Sequence, residues 1–325
     1  MKAVLALAFF FFWTQTPAFQ SSLAIRPGFW CVPTLSQSRS RTSASSPHSK
    51  YLQIASNSLV QPAEFGPDLA VSASHSHTSA VRTDGRLVCF EAKGRGRCDV
   101  PADLGPVLAV SAGQYHTCAV RTDGQLVCFG LKGQGWCDVP ADLRPVSAVA
   151  AGDDHTCAVR TDSQLVCFGQ NRRGQCDVPA DPVLAVSAGG DHTCALRTDG
   201  QLVCFGEFWF GQLNVPADLG PLLAVSAGGD HTCAVRTDGQ LVCFGKNSFG
   251  QCDVPADLGP VLAVSAGRAR TCAVRADGQL VCFGENGQGQ CDVPADLRPV
   301  WAVAAGVHHT CAVRTDGQLV CFGPK

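Results

Sequence analysis

The stretch HTCAVRTDGQLVCFG at residues 116–130 returns almost letter for letter at 231–245. Five close copies lie elsewhere in the chain, at 77–90, 155–169, 192–206, 271–284 and 309–323. Equivalent positions are 39 residues apart at every step except one, where the spacing is 37. Repetition at a fixed period predicts an array of like structural units, and this chain of 325 residues contains seven of them.

Each unit has the pattern of a small antiparallel sheet. In the second unit we predict three strands and a shorter fourth, at Val107–Ala112, His116–Arg121, 125–129 and 136–139. The sequence Thr-Asp-Gly at 122–124 is typical of a bulged hairpin turn, in which glycine takes the left-handed position. The second and third strands therefore form a hairpin with a known register.

Both faces of this hairpin are apolar. One face carries Cys118, Val120, Leu126 and Cys128, and the other carries Ala119, Val127 and Phe129. A sheet that is apolar on both faces must be covered on both. Seven such sheets cover one another when they stack around an axis, so we predict an all-β fold, a seven-bladed β-propeller with four-stranded blades. A linear solenoid would need polar end units, which units one and seven do not provide.

The two ends of the repeat array predict how the ring closes. The last unit stops at residues 323–325, just after its third strand, and so lacks a fourth. Residues 59–67 align without gaps with residues 98–106, the fourth strand and connector of unit one. We therefore expect the segment that begins at Leu59 to complete the last blade and leave no open sheet edge.

The repeat AGxxHTCAVxTDGxLVCFGxxxxGQ, present in seven copies over residues 59–325, resembles that of the regulator of chromosome condensation family. The resemblance implies a seven-bladed propeller. Members include an exchange factor for the GTPase Ran, the propeller modules of HERC-type ubiquitin ligases and the type II β-lactamase inhibitor protein. These functions share a rigid disc that binds another protein, so the resemblance implies a protein partner without choosing among them.

Charge and composition narrow those choices. The formal net charge is −2, and no run of lysine and arginine is long enough to follow a phosphate backbone, so we expect no nucleic-acid partner. No residues follow Lys325 to form the catalytic HECT domain of a HERC-type ligase. A GTPase exchange factor or a ligase adaptor is kept as an alternative on the resemblance alone.

The first fifty residues have the pattern of a leader. Met1 and Lys2 precede an eleven-residue apolar run, which is too short to span a membrane and is typical of a secretory signal peptide at 1–18. Residues 19–58 form a Ser- and Arg-rich segment without acidic residues, either a linker or a transit-like sequence. We expect a secreted or lumenal protein without a membrane span. Delivery to the plastid by a bipartite leader is the alternative.

Eighteen of the nineteen cysteines fall into strand registers, and Cys31 stands alone in the leader. Because the turn places second-strand and third-strand cysteines opposite each other, we predict six hairpin disulfides in an oxidising compartment. They join Cys118 to Cys128, Cys157 to Cys167, Cys194 to Cys204, Cys233 to Cys243, Cys272 to Cys282, and Cys311 to Cys321. Pairing third-strand with fourth-strand cysteines would leave more cysteines without a partner. Cys89 and Cys98 could pair in this way as an exception, because Ser79 replaces the second-strand partner of Cys89. Buried thiols throughout are the alternative.

The His-x-Cys pairs do not predict a metal site. His116, Cys118 and Cys128 would share one face, but a zinc ion usually takes four ligands. Unit six has Arg270 where the other units have histidine, and arginine is a hydrogen-bond donor rather than a ligand. We expect the side chain at this position, such as Arg270, to bridge to a neighbouring backbone, and we predict neither a metal nor a cofactor.

Two loops vary between units while the strands do not. They join the first to the second strand and the third to the fourth, and in an up-and-down sheet they emerge on the same face. We predict that this face of a monomer binds a protein partner through aromatic and basic side chains. The predicted contact residues are Tyr115, Trp136, Arg172, Arg173, Phe208, Trp209, Phe210 and Phe249. Neutral drift in unconstrained loops is the alternative.

No catalytic constellation is recognisable in the sequence. The aspartates of Thr-Asp-Gly, such as Asp123, are turn formers, and there is neither a phosphate loop nor a nucleophile elbow. We predict a non-catalytic interaction protein. A hydrolase or lyase at the mouth of the central channel is the alternative, which carboxylates or histidines converging on the axis would favour.

Overall fold

The computed structural model describes residues 59–60, 68–91, 96–131 and 133–324. The predicted signal peptide at 1–18 and the linker at 19–58 lie outside these described residues. Within the described ranges the chain forms strands and turns and no helix. The prediction of an all-β fold is confirmed.

Seven antiparallel sheets, each with three consecutive strands, make up the fold, and we number them as blades 1 to 7 in chain order. A two-residue strand, β1 (Leu59–Val60), precedes them. The first strands of the blades are β2 (Asp68–Ala73), β5 (Val107–Ala112), β8 (Val146–Ala151), β11 (Val183–Ala188), β14 (Leu222–Ala227), β17 (Val261–Ala266) and β20 (Val300–Ala305). The second strands are β3 (His77–Arg82), β6 (His116–Arg121), β9 (His155–Arg160), β12 (His192–Arg197), β15 (His231–Arg236), β18 (Arg270–Arg275) and β21 (Thr310–Arg314). The third strands are β4 (Leu87–Glu91), β7 (Leu126–Gly130), β10 (Leu165–Gly169), β13 (Leu202–Gly206), β16 (Leu241–Gly245), β19 (Leu280–Gly284) and β22 (Leu319–Phe322).

A Thr-Asp-Gly turn closes the hairpin in five of the seven blades; blade 3 has Ser163 at the glycine position with a φ of +65°, and blade 6 has Ala276 at the threonine position. In blade 2, Gly124 has a φ of +83° and its N–H donates to the Arg121 carbonyl at 2.9 Å. Asp123 Oδ1 accepts the Gln125 N–H at 3.0 Å. Glycine takes this left-handed backbone without steric cost. The turn sets Cys118 opposite Cys128, which is the predicted register.

Six of the seven sheets have three strands instead of the predicted four. In blade 2 the segment predicted as the fourth strand uses its N–H groups in local turns. Asp138 donates to the Gly135 carbonyl at 3.0 Å, and Val139 donates to the Cys137 carbonyl at 3.0 Å. Pro140 follows and has no N–H to give to a sheet. The segment is therefore an irregular turn.

The seventh sheet contains an additional strand at its outer edge. β1 pairs antiparallel with β22, so that Leu59 lies opposite Cys321 and Val60 lies opposite Val320. The order across this sheet is β1-β22-β21-β20.

Neighbouring blades pack face to face through small apolar clusters. Each of seven clusters is shared between two blades that are consecutive around the molecule. Val81 of blade 1 packs with Val107 and Ala119 of blade 2, while Ala80 of blade 1 packs with Val313 of blade 7. The two apolar faces of every sheet are thus covered. Because the first blade contacts the last as well as the second, the sheets form a closed cycle.

A ring of polar side chains is buried between the same blades. The Nε2 atom of His116 lies 2.7 Å from Thr156 Oγ1 of the next blade. Equivalent contacts of 2.7–3.0 Å join His77 to Thr117, His155 to Thr193, His192 to Thr232, His231 to Thr271 and His309 to Thr78. Six of the seven blades therefore hold the next through a histidine–threonine hydrogen bond.

Arg270 takes the histidine position in blade 6. Its Nε donates to Thr310 Oγ1 at 3.1 Å, and its Nη1 donates to the Val307 carbonyl at 2.8 Å. Its Nη2 donates to the His309 carbonyl. The prediction that this residue bridges to a neighbouring backbone is confirmed, since all three acceptors belong to blade 7.

The threonines determine which histidine nitrogen carries the proton. Thr156 Oγ1 donates its single proton to the Trp136 carbonyl at 2.8 Å, so toward His116 it acts as the acceptor. The Nε2 of His116 is therefore the protonated nitrogen. Burial, and to a lesser extent nearby His155 and His77, lower the pKa of His116 from 6.5 to about 3. In six of the seven blades the ring group is a neutral imidazole.

Glycine follows the first strand in blades 2 to 7, while blade 1 has Ser74 at that position. A Cβ on Gly152 would lie 2.6 Å from the Gly189 carbonyl oxygen of the next blade and would also clash with the His155 ring. The same Gly189 carbonyl accepts the Asp153 N–H at 3.2 Å. Close approach of the two backbones around the axis explains why no side chain is tolerated here.

Seven disulfides brace the blades. The six hairpin pairs named above are bonded, with Cα atoms 4.1 Å apart in Cys118–Cys128, and Cys89 is bonded to Cys98. In blade 1 the hydroxyl of Ser79 donates to Cys89 Sγ at 3.2 Å. The remaining described cysteines keep their thiols; they are Cys137, Cys176, Cys252 and Cys291. Bridges in this number suggest an oxidising environment.

Candidate functional site

The variable loops share one face of the molecule. We call residues between the first and second strands of a blade its inner loop, and residues directly after the third strand its outer loop. The two loops are hydrogen-bonded to each other through their backbones. In blade 2 the Leu131 N–H donates to the Tyr115 carbonyl at 2.9 Å, and in blade 4 the Glu207 N–H donates to the Asp191 carbonyl at 2.8 Å. The antiparallel hairpin places both loops at the same end. We call this end the variable-loop face.

Two of the predicted contact residues lie together in blade 2. The rings of Tyr115 and Trp136 are stacked with centroids 5.4 Å apart. Trp136 is only 7% exposed, and its Nε1 donates to the Leu131 carbonyl at 2.8 Å. It therefore supports the half-buried Tyr115 from below rather than offering its own indole to a partner.

The other predicted aromatic residues form a separate, exposed group. Phe208, Trp209 and Phe210 in the outer loop of blade 4 are 69%, 61% and 43% exposed. Phe249 in the outer loop of blade 5 is 55% exposed. We call these four residues the aromatic strip. Contiguous exposed aromatic side chains are uncommon on a monomer and mark interaction surfaces.

Cations from the neighbouring blades lie against the strip. The guanidinium of Arg173 in blade 3 is 4.4 Å from the centroid of the Trp209 ring, and the ammonium of Lys246 in blade 5 is 4.4 Å from that of Phe210. Arg172, predicted beside them, is exposed. Cation–π contacts of this kind hold the rings in place without covering their outer faces.

Buried glutamines brace the outer loops from beneath. Gln212 is 1% exposed and its Oε1 accepts the Phe210 N–H at 2.9 Å, and Gln251 accepts the Phe249 N–H in the same way at 2.9 Å. Sequence reasoning missed these residues as part of the site. The signal was the Gly-Gln that ends the outer loop in most units.

An asparagine clasps the outer loop in three blades. In blade 5, Asn247 Oδ1 accepts the Cys252 N–H at 2.8 Å, and its Nδ2 donates to Asp253 Oδ1 at 2.7 Å. Asn171 and Asn286 make the same pair of bonds in blades 3 and 6. In blade 4 this position is Phe208. Blade 4 has therefore replaced two loop hydrogen bonds by an exposed phenylalanine, which adds nothing to the buried core.

Carboxylates gather near the axis beside the strip. They come from inner loops of successive blades: Asp153 and Asp154, Asp191 and Asp230. The Asp153 side chain is exposed, and desolvation by the surrounding loops together with the neighbouring Asp154 and Asp191 raises its pKa, while Arg268 opposes the shift. Burial and Asp191 also raise the pKa of Asp154. The inner face of the site is thus acidic, a feature that sequence reasoning did not identify.

The convergence of these carboxylates near the axis is the feature that would favour a hydrolase or lyase. The described residues add no further catalytic element. They contain no metal-holding cluster of histidine, cysteine and carboxylates. The buried histidines donate to threonines between the blades. No nucleophile with an adjacent base is found beside the carboxylates in the described part of the chain.

The repeat unit seen in the blades identifies the family. The family model of the regulator of chromosome condensation (RCC1) repeat matches residues 107–135, 146–175, 183–212, 223–251, 261–290 and 302–323. The chain belongs to the RCC1-repeat family. The first five matches each run from the first strand of a blade into its outer loop, so the RCC1 repeat and the blade coincide. The family is generally a non-enzymatic interaction and exchange-factor fold.

The RCC1-repeat fold of this chain is similar to several solved structures. The ectodomain of the receptor kinase CR4 from Physcomitrella patens is 23% identical, with a TM-score of 0.67, over 78% of this chain and 72% of that one. The CRINKLY WD40 ectodomain of the Arabidopsis thaliana receptor kinase ACR4 is 22% identical, with a TM-score of 0.65, over 80% of this chain and 98% of that one. Prp20p of Saccharomyces cerevisiae is 15% identical, with a TM-score of 0.64, over 79% of this chain and 82% of that one. At these identities the likeness is one of fold.

None of the curated protein sequences matches this RCC1-repeat chain. In the described ranges there is no helix with the length and hydrophobicity needed to cross a bilayer.

Proposed function

We propose that this RCC1-repeat propeller is a non-catalytic interaction protein that docks a protein partner on its variable-loop face through the aromatic strip. One observation carries the proposal: Phe208 replaces the asparagine that clasps this loop in three other blades, and it is 69% exposed. A substitution that removes loop hydrogen bonds and exposes an aromatic ring is explained by binding and not by folding.

The construction of the strip supports this function. Aromatic and arginine side chains provide most of the affinity at protein interfaces, and Trp209 and Arg173 are already in contact. Gln212 and Gln251 hold the loop backbones from the buried side. Side chains that are positioned before binding lose less conformational entropy when the partner arrives.

The similar structures support a protein as the class of ligand. Prp20p is described for its binding to Gsp1p and histones, and the CR4 and ACR4 propellers are receptor ectodomains. A GTPase exchange factor or a ubiquitin-ligase adaptor is the alternative that the family offers. The exposed aromatic strip favours a protein interface in either case.

The test is capture of partners by the purified protein from extracts of cells that express it. Replacement of Phe208, Trp209 and Phe210 by alanine is expected to reduce capture by about tenfold or more, because aromatic anchors each contribute about 2 kcal/mol or more. Leu262→Ala is the control, since Leu262 is 58% exposed but lies at the opposite end of its blade. Equal capture by the triple variant would remove the proposal.

We also propose that the protein enters the secretory pathway and is secreted or lumenal. Seven disulfides support an oxidising compartment. The leader at 1–18 is the predicted signal peptide. Sequencing the amino terminus of the protein made in its own cells is expected to find Met1 to Ala18 removed; plastid import of the full leader would contradict this.

We further propose that the propeller is monomeric and that β1 closes it as the outer strand of blade 7. The pairing of Leu59 with Cys321 supports this role. So does the gapless alignment of residues 59–67 with 98–106. The short strand covers an edge that would otherwise offer unpaired backbone groups to another chain.

A further inference from the structure

Blade 1 shows that one sulfur can reach two neighbours. Cys89 Sγ in the third strand is bonded to Cys98 in the following turn. The same sulfur atom lies 3.2 Å from Ser79 Oγ in the second strand. Ser79 occupies the position that cysteine occupies in the other six blades. The third-strand sulfur is therefore in contact with both the second-strand position and the turn position.

Four blades have cysteine at all three positions. In blade 5 the bond joins Cys233 to Cys243, and Cys252 in the turn keeps its thiol. Cys252 Sγ donates to the Lys246 carbonyl at 3.4 Å. Blades 3 and 6 have the same arrangement around Cys176 and Cys291, and blade 2 has its turn thiol at Cys137. In blade 4 the turn position is Leu213.

We infer that each three-cysteine blade has a second disulfide state, reached by thiol–disulfide exchange inside the blade. In blade 5 the Cys252 thiolate attacks Cys243 Sγ, and the Cys243–Cys252 bond forms as the Cys233–Cys243 bond breaks. Cys233 leaves as a thiolate and takes up the proton that Cys252 lost. One disulfide and one thiol are present before and after, so the step needs no oxidant or reductant.

In both disulfide states the free thiol has a hydrogen-bond acceptor. Cys233 Sγ lies 3.3 Å from Thr271 Oγ1. Thr271 donates its proton to the Gln251 carbonyl at 2.8 Å and accepts from His231, which leaves one lone pair for a released Cys233 thiol. The exchange thus replaces the bond from Cys252 to the Lys246 carbonyl by a bond from Cys233 to Thr271.

The exchange reaches the variable-loop face through Lys246. The Lys246 carbonyl loses its contact with Cys252, while the ammonium of the same residue lies over Phe210. The link to partner binding rests on the proposed function, whereas the exchange itself does not. Burial and the nearby Asp253 raise the pKa of Cys252 to about 11, so the thiolate is scarce at neutral pH and the step is slow there.

The first experiment converts blade 5 into the arrangement of blade 1. The variant Cys233→Ser, kept with oxidised glutathione as the two-electron acceptor, is expected to yield peptides cross-linked between Cys243 and Cys252 in non-reducing peptide mapping. Cys194→Ser in blade 4 is the matched control: with Leu213 in the turn, Cys204 is expected as a thiol or a glutathione adduct. Recovery of Cys243 and Cys252 without the cross-link overturns the inference.

The second experiment uses the wild-type protein, so it does not depend on the folding of a variant. The protein is held at pH 8, 9 or 10, quenched in acid and unfolded with N-ethylmaleimide present. Label is expected at Cys233 as well as Cys252, appearing about tenfold faster for each pH unit because the thiolate fraction rises tenfold. In Cys252→Ser, label at Cys233 is expected to disappear. Within blade 5, label confined to Cys252 in the wild type at every pH contradicts the second state.

Discussion

At the scale of single residues, one threonine hydroxyl per blade joins two blades. Thr193 Oγ1 donates to the Gln175 carbonyl at 2.8 Å and accepts from His155 Nε2 at 2.8 Å. All three groups are buried. A buried polar group that loses its partner costs more than the hydrogen bond contributes when made. The hydroxyl therefore determines both the tautomer of the histidine and the contact between the blades.

Replacing Thr193 by valine keeps the volume and removes the hydroxyl. We expect a loss of about 2–4 kcal/mol in the free energy of unfolding, because the His155 N–H and the Gln175 carbonyl are both left unpaired. The measurement is urea unfolding with the disulfides intact. Thr198→Val, at an exposed turn of the same blade, is the control and is expected within about 0.5 kcal/mol of wild type. Equal midpoints for the two variants would show that the ring carries no stability.

At the scale of elements, the inner loops hold the blades close to one another around the axis. Gly152 follows β8, and its missing side chain lets the His155 ring and the Gly189 carbonyl approach. The outer loop of blade 6 is under no such constraint at Gly287, where a Cβ would meet nothing within 4 Å. This difference explains why the outer loops accept aromatic residues.

Gly152→Ala is expected to lower the free energy of unfolding by about 1–3 kcal/mol, because the added methyl overpacks the joint between blades 3 and 4. Gly287→Ala is the matched control, and we expect it within about 0.5 kcal/mol of wild type. Thermal unfolding of both variants under identical conditions gives the comparison. A Gly152→Ala protein as stable as its control would mean that neighbouring backbones move apart at no cost.

At the scale of the whole molecule, six buried neutral histidines act together. Their pKa values lie at about 3 to 4 in the folded protein, against 6.5 for an accessible histidine; they are His77, His116, His155, His192, His231 and His309. Burial is the main cause in each. Between these values the unfolded chain binds more protons than the folded one, so stability is fully present above pH 6.5 and falls as the pH falls.

We expect the free energy of unfolding to decrease steeply between pH 6.5 and about 4, by about 1.4 kcal/mol per pH unit for each histidine. The raised pKa values of Asp153, Asp154, Asp191 and Glu207 act in the opposite direction, but they are four groups against six. Urea unfolding at a series of pH values measures the slope. The variant His231→Arg repeats the arrangement that blade 6 has at Arg270. It is expected to reduce the pH dependence of the unfolding free energy by the contribution of one histidine, about 1.4 kcal/mol per pH unit. An unchanged slope would show that His231 does not titrate this way.

The proposed closure of the ring by β1 gives a separate expectation. In an antiparallel pair only alternate residues point their N–H groups at the partner strand. Of Leu59→Pro and Val60→Pro, one is therefore expected to lose a hydrogen bond to β22 and lower the unfolding midpoint, and the other serves as its control. If neither variant differs from wild type, the two residues do not hold the seventh blade.

The sequence alone determined the number of blades, the hairpin register and the cysteine pairs opposite each other, because a period of 39 residues and a Thr-Asp-Gly turn act within one unit. It did not determine the fourth strand, where local turns and Pro140 compete with the ladder. Nor did it separate Trp136, which is 7% exposed, from Trp209, which is 61% exposed.

What only the tertiary structure decided lies between blades. The histidine–threonine ring, the carboxylates around Asp153 and the cations over the aromatic strip all join residues from different repeats. The local pattern within a repeat is the same in nearly every copy, so it specifies the strands but not which loop stays open to solvent. That depends on how consecutive blades pack, and packing brings together side chains that are far apart along the chain.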